Sequence, residues 1–179
     1  MTAKKISIPL LFGLIAACIM VLVVFGTWLA GPEAFVGWQV WLGKSLVILL
    51  AAMAATTEKR ARGGILDFRS ALRVAFGVIA MGIVANYLLA WLIVNVIDPH
   101  FYQRLLPILL KRQEQMDHNQ GFTSDQIRED LAYLRTHNAF SVASMIIGMG
   151  RDLLLFGIIA ILIAVTVKSK KGPTPAPRQ

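Results

Sequence analysis

The sequence predicts an all-α membrane protein: four transmembrane helices, with an amphipathic helical hairpin on the outer side between spans three and four. Three observations carry that prediction. Four windows each hold the roughly 20 mainly apolar residues that a bilayer crossing requires. Hydrophobic residues make up 56% of the 179-residue chain and charged ones 16%, against about 45–50% and about 25% in soluble domains. Finally, the lysines and arginines cluster where the apolar windows end.

Span one is expected over about residues 8–30, after the positive start MTAKK. A signal peptide would share that start, but its apolar core is usually about 7–15 residues and is followed by a small-x-small site. Neither holds here, so the segment is read as a span. Gly31-Pro32 ends it, and Trp28, Trp38 and Trp41 gather around the turn as an interfacial aromatic belt. Span two follows over about 36–57, then a basic loop broken at Gly63-Gly64. Asp67 is placed to cap span three, with Arg69 and Arg73 one turn apart at its start. Span three covers about 71–97 and stops at Asp98-Pro99.

The outer segment, 98–138, reads as two helices. FYQRLLPILLKRQEQM is amphipathic, and Pro107 should kink it or make it start afresh. In the second, Thr123 and Gln126 have capping-box spacing, and Phe122 and Ile127 the spacing of a hydrophobic staple. The hairpin is expected to pack on the membrane surface or on the spans. Span four covers about 141–167, and 168–179 reads as a basic, proline-rich, disordered cytoplasmic tail.

Charge sets the orientation. The formal net charge is +8, concentrated at Lys4/Lys5, at Lys59/Arg60/Arg62/Arg69 and at Lys168/Lys170/Lys171/Arg178. Each cluster abuts a span end, which is the pattern of cytoplasm-facing topology determinants and not of a nucleic-acid patch. The segment between spans three and four holds five Lys/Arg and six Asp/Glu. Both termini are therefore expected in the cytoplasm.

The order of these features resembles a known family. A GGILDFRSAL loop opens span three, NVIDPHFYQ closes it, and GFTSDQIREDL lies in the hairpin before the last span. Together they are similar to the bacterial membrane proteins of domain-of-unknown-function family 4199 (DUF4199), over nearly the whole chain. The resemblance implies a small bacterial inner-membrane protein and carries no activity, cofactor or catalytic residue.

Lys44, Asn86, Arg151 and Asp152 are the candidate intramembrane polar residues. Lys44 stands 14 residues from Glu58, about 21 Å along a helix, and Asp152 stands 16 from Lys168, about 24 Å. Both depths fall in the outer third of a core about 30 Å thick. One reading pairs Lys44 with Asp152 at an outward pocket, with Arg151 about 100° away around its helix. The favoured reading is plainer. In it Lys44 snorkels past Trp41, and Arg151 and Asp152, loosened by Gly148 and Gly150, mark the rim where span four leaves the lipid. Asn86 is expected to hydrogen-bond a neighbouring helix, a contact typically worth about 0.6 kcal/mol. Small-residue pairs (Gly13/Ala17, Ala51/Ala55, Ala160/Ala164) suit close helix packing.

No metal or cofactor site is expected. His100, His118 and His137 are too widely spaced for a local ligand motif, and Cys18 reads as a small buried residue without a disulfide partner. No nucleophile elbow, phosphate loop or HExxH occurs, so no catalytic residue and no enzymatic activity is expected. The leading expectation is a protein acting by association in the lipid bilayer, as an accessory or assembly subunit or a homo-oligomer. The alternative is a small oligomeric transporter or channel with a polar route near Lys44, Asn86 and Asp152. Topology is testable after Cys18→Ala, with single cysteines at Ser7, Ser124 and Ser169. An impermeant thiol reagent should label only the Ser124 position from outside; labelling at either other position would reverse or break the topology.

Overall fold

A computed structural model describes residues 7–169. The Lys4/Lys5 start and the tail from Lys170 onward lie outside the described residues. All regular structure among the described residues is helical. Helix α1 (Ile8–Ala30) is followed by a one-turn α2 (Pro32–Phe35), α3 (Gln39–Ala61) and α4 (Phe68–Leu92). After α4 come a π-helical turn (Ile93–Ile97), α5 (Phe101–Asn119), α6 (Ser124–Thr136) and α7 (Val142–Val167). The helices α1, α3, α4 and α7 carry four segments long and apolar enough to cross a membrane.

These four form the bundle. Helix α4 packs on α1, α3 and α7, while α3 packs on α1 and α7. The interior is lined by small residues, which lets the backbones approach. Ala16, Ala51, Ala54, Ala55, Ala71, Ala75, Ala160 and Ala164 are all fully buried together with Val78 and Ile79. Two of the expected small-residue pairs, Ala51/Ala55 and Ala160/Ala164, thus pack inside one chain. Cys18 differs from expectation: it is exposed on α1, because the face that packs carries Gly13, Ala16, Met20 and Val24.

The two ends of the bundle are closed differently. At the end nearer the termini, Gly63 and Gly64 take positive φ (70° and 86°) and turn the chain between α3 and α4. Ser169 then locks α7 to that turn. Its hydroxyl donates to Gly64 O (2.8 Å) and accepts from Leu66 N–H (3.0 Å), and its N–H donates to Leu66 O (2.9 Å). Lys59 Nζ donates to Val167 O (2.8 Å), satisfying a terminal carbonyl of α7 with a cation. Residues 168–169, read from sequence as the start of the tail, are therefore docked on the bundle. Ala61 is a better cysteine site than Ser169 for the topology test, since it is exposed and outside this lock.

At the hairpin end a second core forms from Val24, Phe35, Ala90, Ile93, Val94, Phe101 and Leu105. Phe35 and Phe101 meet edge to face at 5.0 Å. The π-turn shifts the register there: Asp98 N–H bonds Ile93 O, five residues back (2.8 Å). The side chain of Asn95 donates to Trp91 O (3.0 Å) and to Phe140 O (3.1 Å), tying the end of span three to the start of span four. The hairpin packs on the spans through α5, which touches α2, while α6 packs on α5. Helix α5 runs unbroken through Pro107, so the fresh start allowed by the sequence does not occur. The Thr123–Gln126 capping box is present as expected, with Thr123 N–H donating to Gln126 Oε1 (3.0 Å).

Asp67 caps α4 as expected, accepting from Ser70 N–H (3.1 Å). Hydrogen bonding to Ser70, side chain and then backbone, holds the Asp67 carboxyl below its ordinary pKa. A carboxyl depressed in the folded state stabilises above its unfolded pKa, and that stability is lost as pH falls through the folded value. Thermal unfolding in mild detergent should therefore show stability declining as pH drops below about 4. The Asp67→Ala variant should melt lower at pH 7 and show a smaller decline in acid; matching pH profiles would remove the cap's role.

Candidate functional site

The polar residues of the spans meet where α3, α4 and α7 adjoin. An α-helix turns about 100° per residue, so consecutive residues face different surroundings. On α7 this puts Asp152 inside (5% exposed) and Arg151 outside. Lys44 enters from α3. Its Nζ donates to Asp152 Oδ2 at 2.7 Å, with the two side chains 15% and 7% exposed. Tyr87 of α4 donates its hydroxyl to the same oxygen at 3.2 Å. The Lys44 ammonium also lies 5.0 Å from the Trp41 ring centre and 5.4 Å from that of Phe156. Such positions over aromatic faces favour a cation.

These contacts overturn the rim reading of Asp152. The contact puts Lys44 and Asp152 at one level of the bundle, and level along a helix says nothing about which way a side chain faces. Trp41 does lie against Lys44, yet the ammonium turns inward to a carboxylate. Arg151 alone keeps the exposed position, and it forms no ion pair among the described residues.

Glycines make the approach feasible. A Cβ on Gly148 would stand 3.1 Å from the Tyr87 hydroxyl oxygen. Gly148 lies one turn before Asp152 on the same face, so its missing side chain is the space through which Tyr87 reaches the carboxylate. A Cβ on Gly82 would stand 3.0 Å from the Val47 methyls, so α3 and α4 close together one turn from Asn86 and Lys44.

Asn86 makes no side-chain hydrogen bond to the protein among the described residues, contrary to the expected contact with a neighbouring helix. It borders two cavities instead. One holds about 10 Å³ between Lys44, Asn86, Asp152 and Phe156, close to the room one water needs. The other is a cleft of about 190 Å³ with Lys44, Asn86 and Tyr87 at its floor. It runs toward Phe35, Val36 and Phe140 at the hairpin end. On the other side of the pair the alanine-lined interior is closely packed.

Tyr87 is the participant that sequence reasoning missed. Its signal was its position one residue after Asn86 in an apolar span, where a hydroxyl needs a partner. No group of three or more His, Cys, Asp or Glu side chains able to hold a metal occurs among the described residues.

A family model described as a protein of unknown function, DUF4199, matches residues 10–169. The chain belongs to the DUF4199 family. The match ends at Ser169, the residue that locks α7 to the α3–α4 turn. No curated protein and no solved structure matches the chain. For this DUF4199 protein the site therefore rests on its own geometry.

Removing one partner of a buried ion pair strands the other charge, a loss of about 3 kcal/mol or more. Lys44→Met and Asp152→Ala should each lower the melting temperature in mild detergent, and the double variant should recover most of that loss. Additive single effects would mean that the two side chains do not interact energetically.

Proposed function

We propose that this DUF4199 protein is a non-enzymatic, ion- or proton-handling unit of a bacterial inner membrane, with both termini in the cytoplasm. Its working site is the Lys44–Asp152 pair. One observation carries the reading: two opposite charges meet inside the apolar segments, and Lys44 of that pair, with Asn86 and Tyr87, also lines a cleft that runs to the hairpin end. Ionisable groups inside a membrane mark ion pathways and proton relays by default.

Size narrows the cargo. A cleft of about 190 Å³ is smaller than the roughly 300–1,000 Å³ usual for organic ligands. It suits a proton, or a small ion with a few waters, better than a metabolite. Asp152 is the exchanging group in this proposal, Lys44 its counter-charge, Tyr87 its hydrogen-bond donor, and Asn86 the polar lining between cleft and carboxylate. Four spans are few for a transporter, and the sequence carries no evident internal repeat. The working unit is accordingly a homo-oligomer or a complex with another membrane protein.

The geometry favours this reading over a purely accessory role. Of the features that support association, the small-residue helix faces are mostly buried within one chain, which leaves the amphipathic hairpin and the absence of catalytic motifs. Purified protein in liposomes should conduct protons or a monovalent cation, measured with a trapped pH- or ion-sensitive dye. Asp152→Asn and Lys44→Met should each lower the flux at least tenfold, whereas Arg62→Gln, exposed at the C-terminal cap of α3, should leave it near wild type. Absence of flux for protons and all common monovalent ions in the wild type would overturn the proposal. A stoichiometric membrane-protein partner co-purifying with such an inactive protein would return the accessory role to first place.

A further inference from the structure

Helices α4 and α7 form a second feature on their outer surface, on a face of α7 that Asp152 does not occupy. A groove of about 970 Å³ runs between them, from Arg69 at the end that carries the termini to Gly150. Its walls are apolar: Leu72 and Phe76 from α4, Leu153 and Ile161 from α7. The α7 side is cut away at Gly150 and Gly157. Nothing lies within 4 Å of a Cβ built on Gly150, and only the Phe76 ring (3.7 Å) is near one on Gly157. Arg69 and Arg73 border the groove. They lie within the first two turns of α4, one turn apart on one face, where a span meets the headgroup layer. Both are exposed, and neither forms a salt bridge or a side-chain hydrogen bond among the described residues.

A groove on a membrane protein's surface is filled by acyl chains whatever the headgroup, so apolar walls alone select nothing. Selection comes from the two guanidinium groups. Each offers a planar fork of donors that fits a phosphate, one helical turn apart, and their two positive charges favour a headgroup whose phosphate is not already offset by a choline cation. The same helix pair supplies an internal contrast. Nearer the hairpin end it forms another groove, lined by Leu88, Trp91, Val142 and Ile146 among others, with no charged residue. Basic sites between spans at the headgroup level are where anionic lipids are held.

We propose that the Arg69/Arg73 groove is a binding site for an anionic phospholipid. The phosphate sits between Arg69 and Arg73, and one acyl chain lies along the channel left by Gly150 and Gly157. This proposal does not depend on flux through the Lys44–Asp152 site.

The full chain, purified in mild detergent, tests it by lipid retention in native mass spectrometry and by thermal shift with phosphatidylglycerol or phosphatidylcholine. Wild type should prefer phosphatidylglycerol roughly thirtyfold, from about 1 kcal/mol per arginine near the headgroups. Arg69→Gln/Arg73→Gln should abolish the preference while the phosphatidylcholine response stays as in wild type. Gly150→Leu should fill the channel without altering charge or helix propensity adversely. It should reduce phosphatidylglycerol retention at least fivefold. Inorganic phosphate should give no thermal shift. Equal retention of the two lipids by wild type, an undiminished preference in the double arginine variant, full retention by Gly150→Leu, or a phosphate shift matching that of the lipid would each overturn the proposal.

Discussion

A carboxylate cannot stay charged inside an apolar bundle unless something compensates it, and in this protein Lys44 supplies that compensation to Asp152. The pair joins α3 to α7, and Tyr87 adds a link from α4. Three of the four long helices are thus tied at one level by polar contacts that cannot slide. Apolar packing between alanine-lined helices tolerates small shifts along the axis, whereas a 2.7 Å ion pair does not. The pair therefore sets the register in which the small residues below it interlock. It also imposes its own local requirements: Gly148 opposite Tyr87, Gly82 opposite Val47, and aromatic rings of Trp41 and Phe156 beside the ammonium.

Among the long helices α7 packs on α4 and α3, and polar contacts hold it at both ends as well as in the middle. Ser169 and Lys59 fix its end near the α3–α4 turn. Asn95, on the π-turn, fixes the segment leading into it at the hairpin end. The Lys59 contact uses the carbonyl of Val167, which the end of the helix would otherwise leave unpaired. A helix held in this way keeps Asp152 at one height and one rotation, which the ion pair requires. The hairpin contributes through Phe101 and Leu105, which close the second core over the ends of α1 and α4.

Much of this was legible in the sequence, and the boundary between what was and was not follows from geometry. Apolar length fixes how many helices can cross, and the cap residues Asp67 and Thr123 declare where helices begin. Position along a helix gave Lys44 and Asp152 a common depth. Rotation about the helix is the coordinate that one sequence leaves open when apolar residues surround a position on all sides. Arg151 and Asp152 differ only in that coordinate, and so does Cys18, which faces away from the bundle. Asn86 was legible as a mid-span polar residue, but its role depends on whether a partner or a cavity lies across from it. Pro107 allowed either a kink or a fresh start, and one sequence does not choose between them; α5 continues through it as one helix.

The cleft and the closely packed interior beyond it divide the bundle into two regions with different electrical properties. In the proposed ion-handling role, water filling the cleft would carry little of the voltage, and the field across the membrane would fall mainly on the alanine-lined half. The Lys44–Asp152 pair stands at that boundary. Any charge that leaves it through the packed half crosses most of the membrane potential, about 2.3 kcal/mol per charge for each 100 mV. Exchange with the cleft is almost free of that cost. In that role, the packing of small residues beneath the pair would make it electrically asymmetric, shielded from voltage on one face and exposed to nearly all of it on the other.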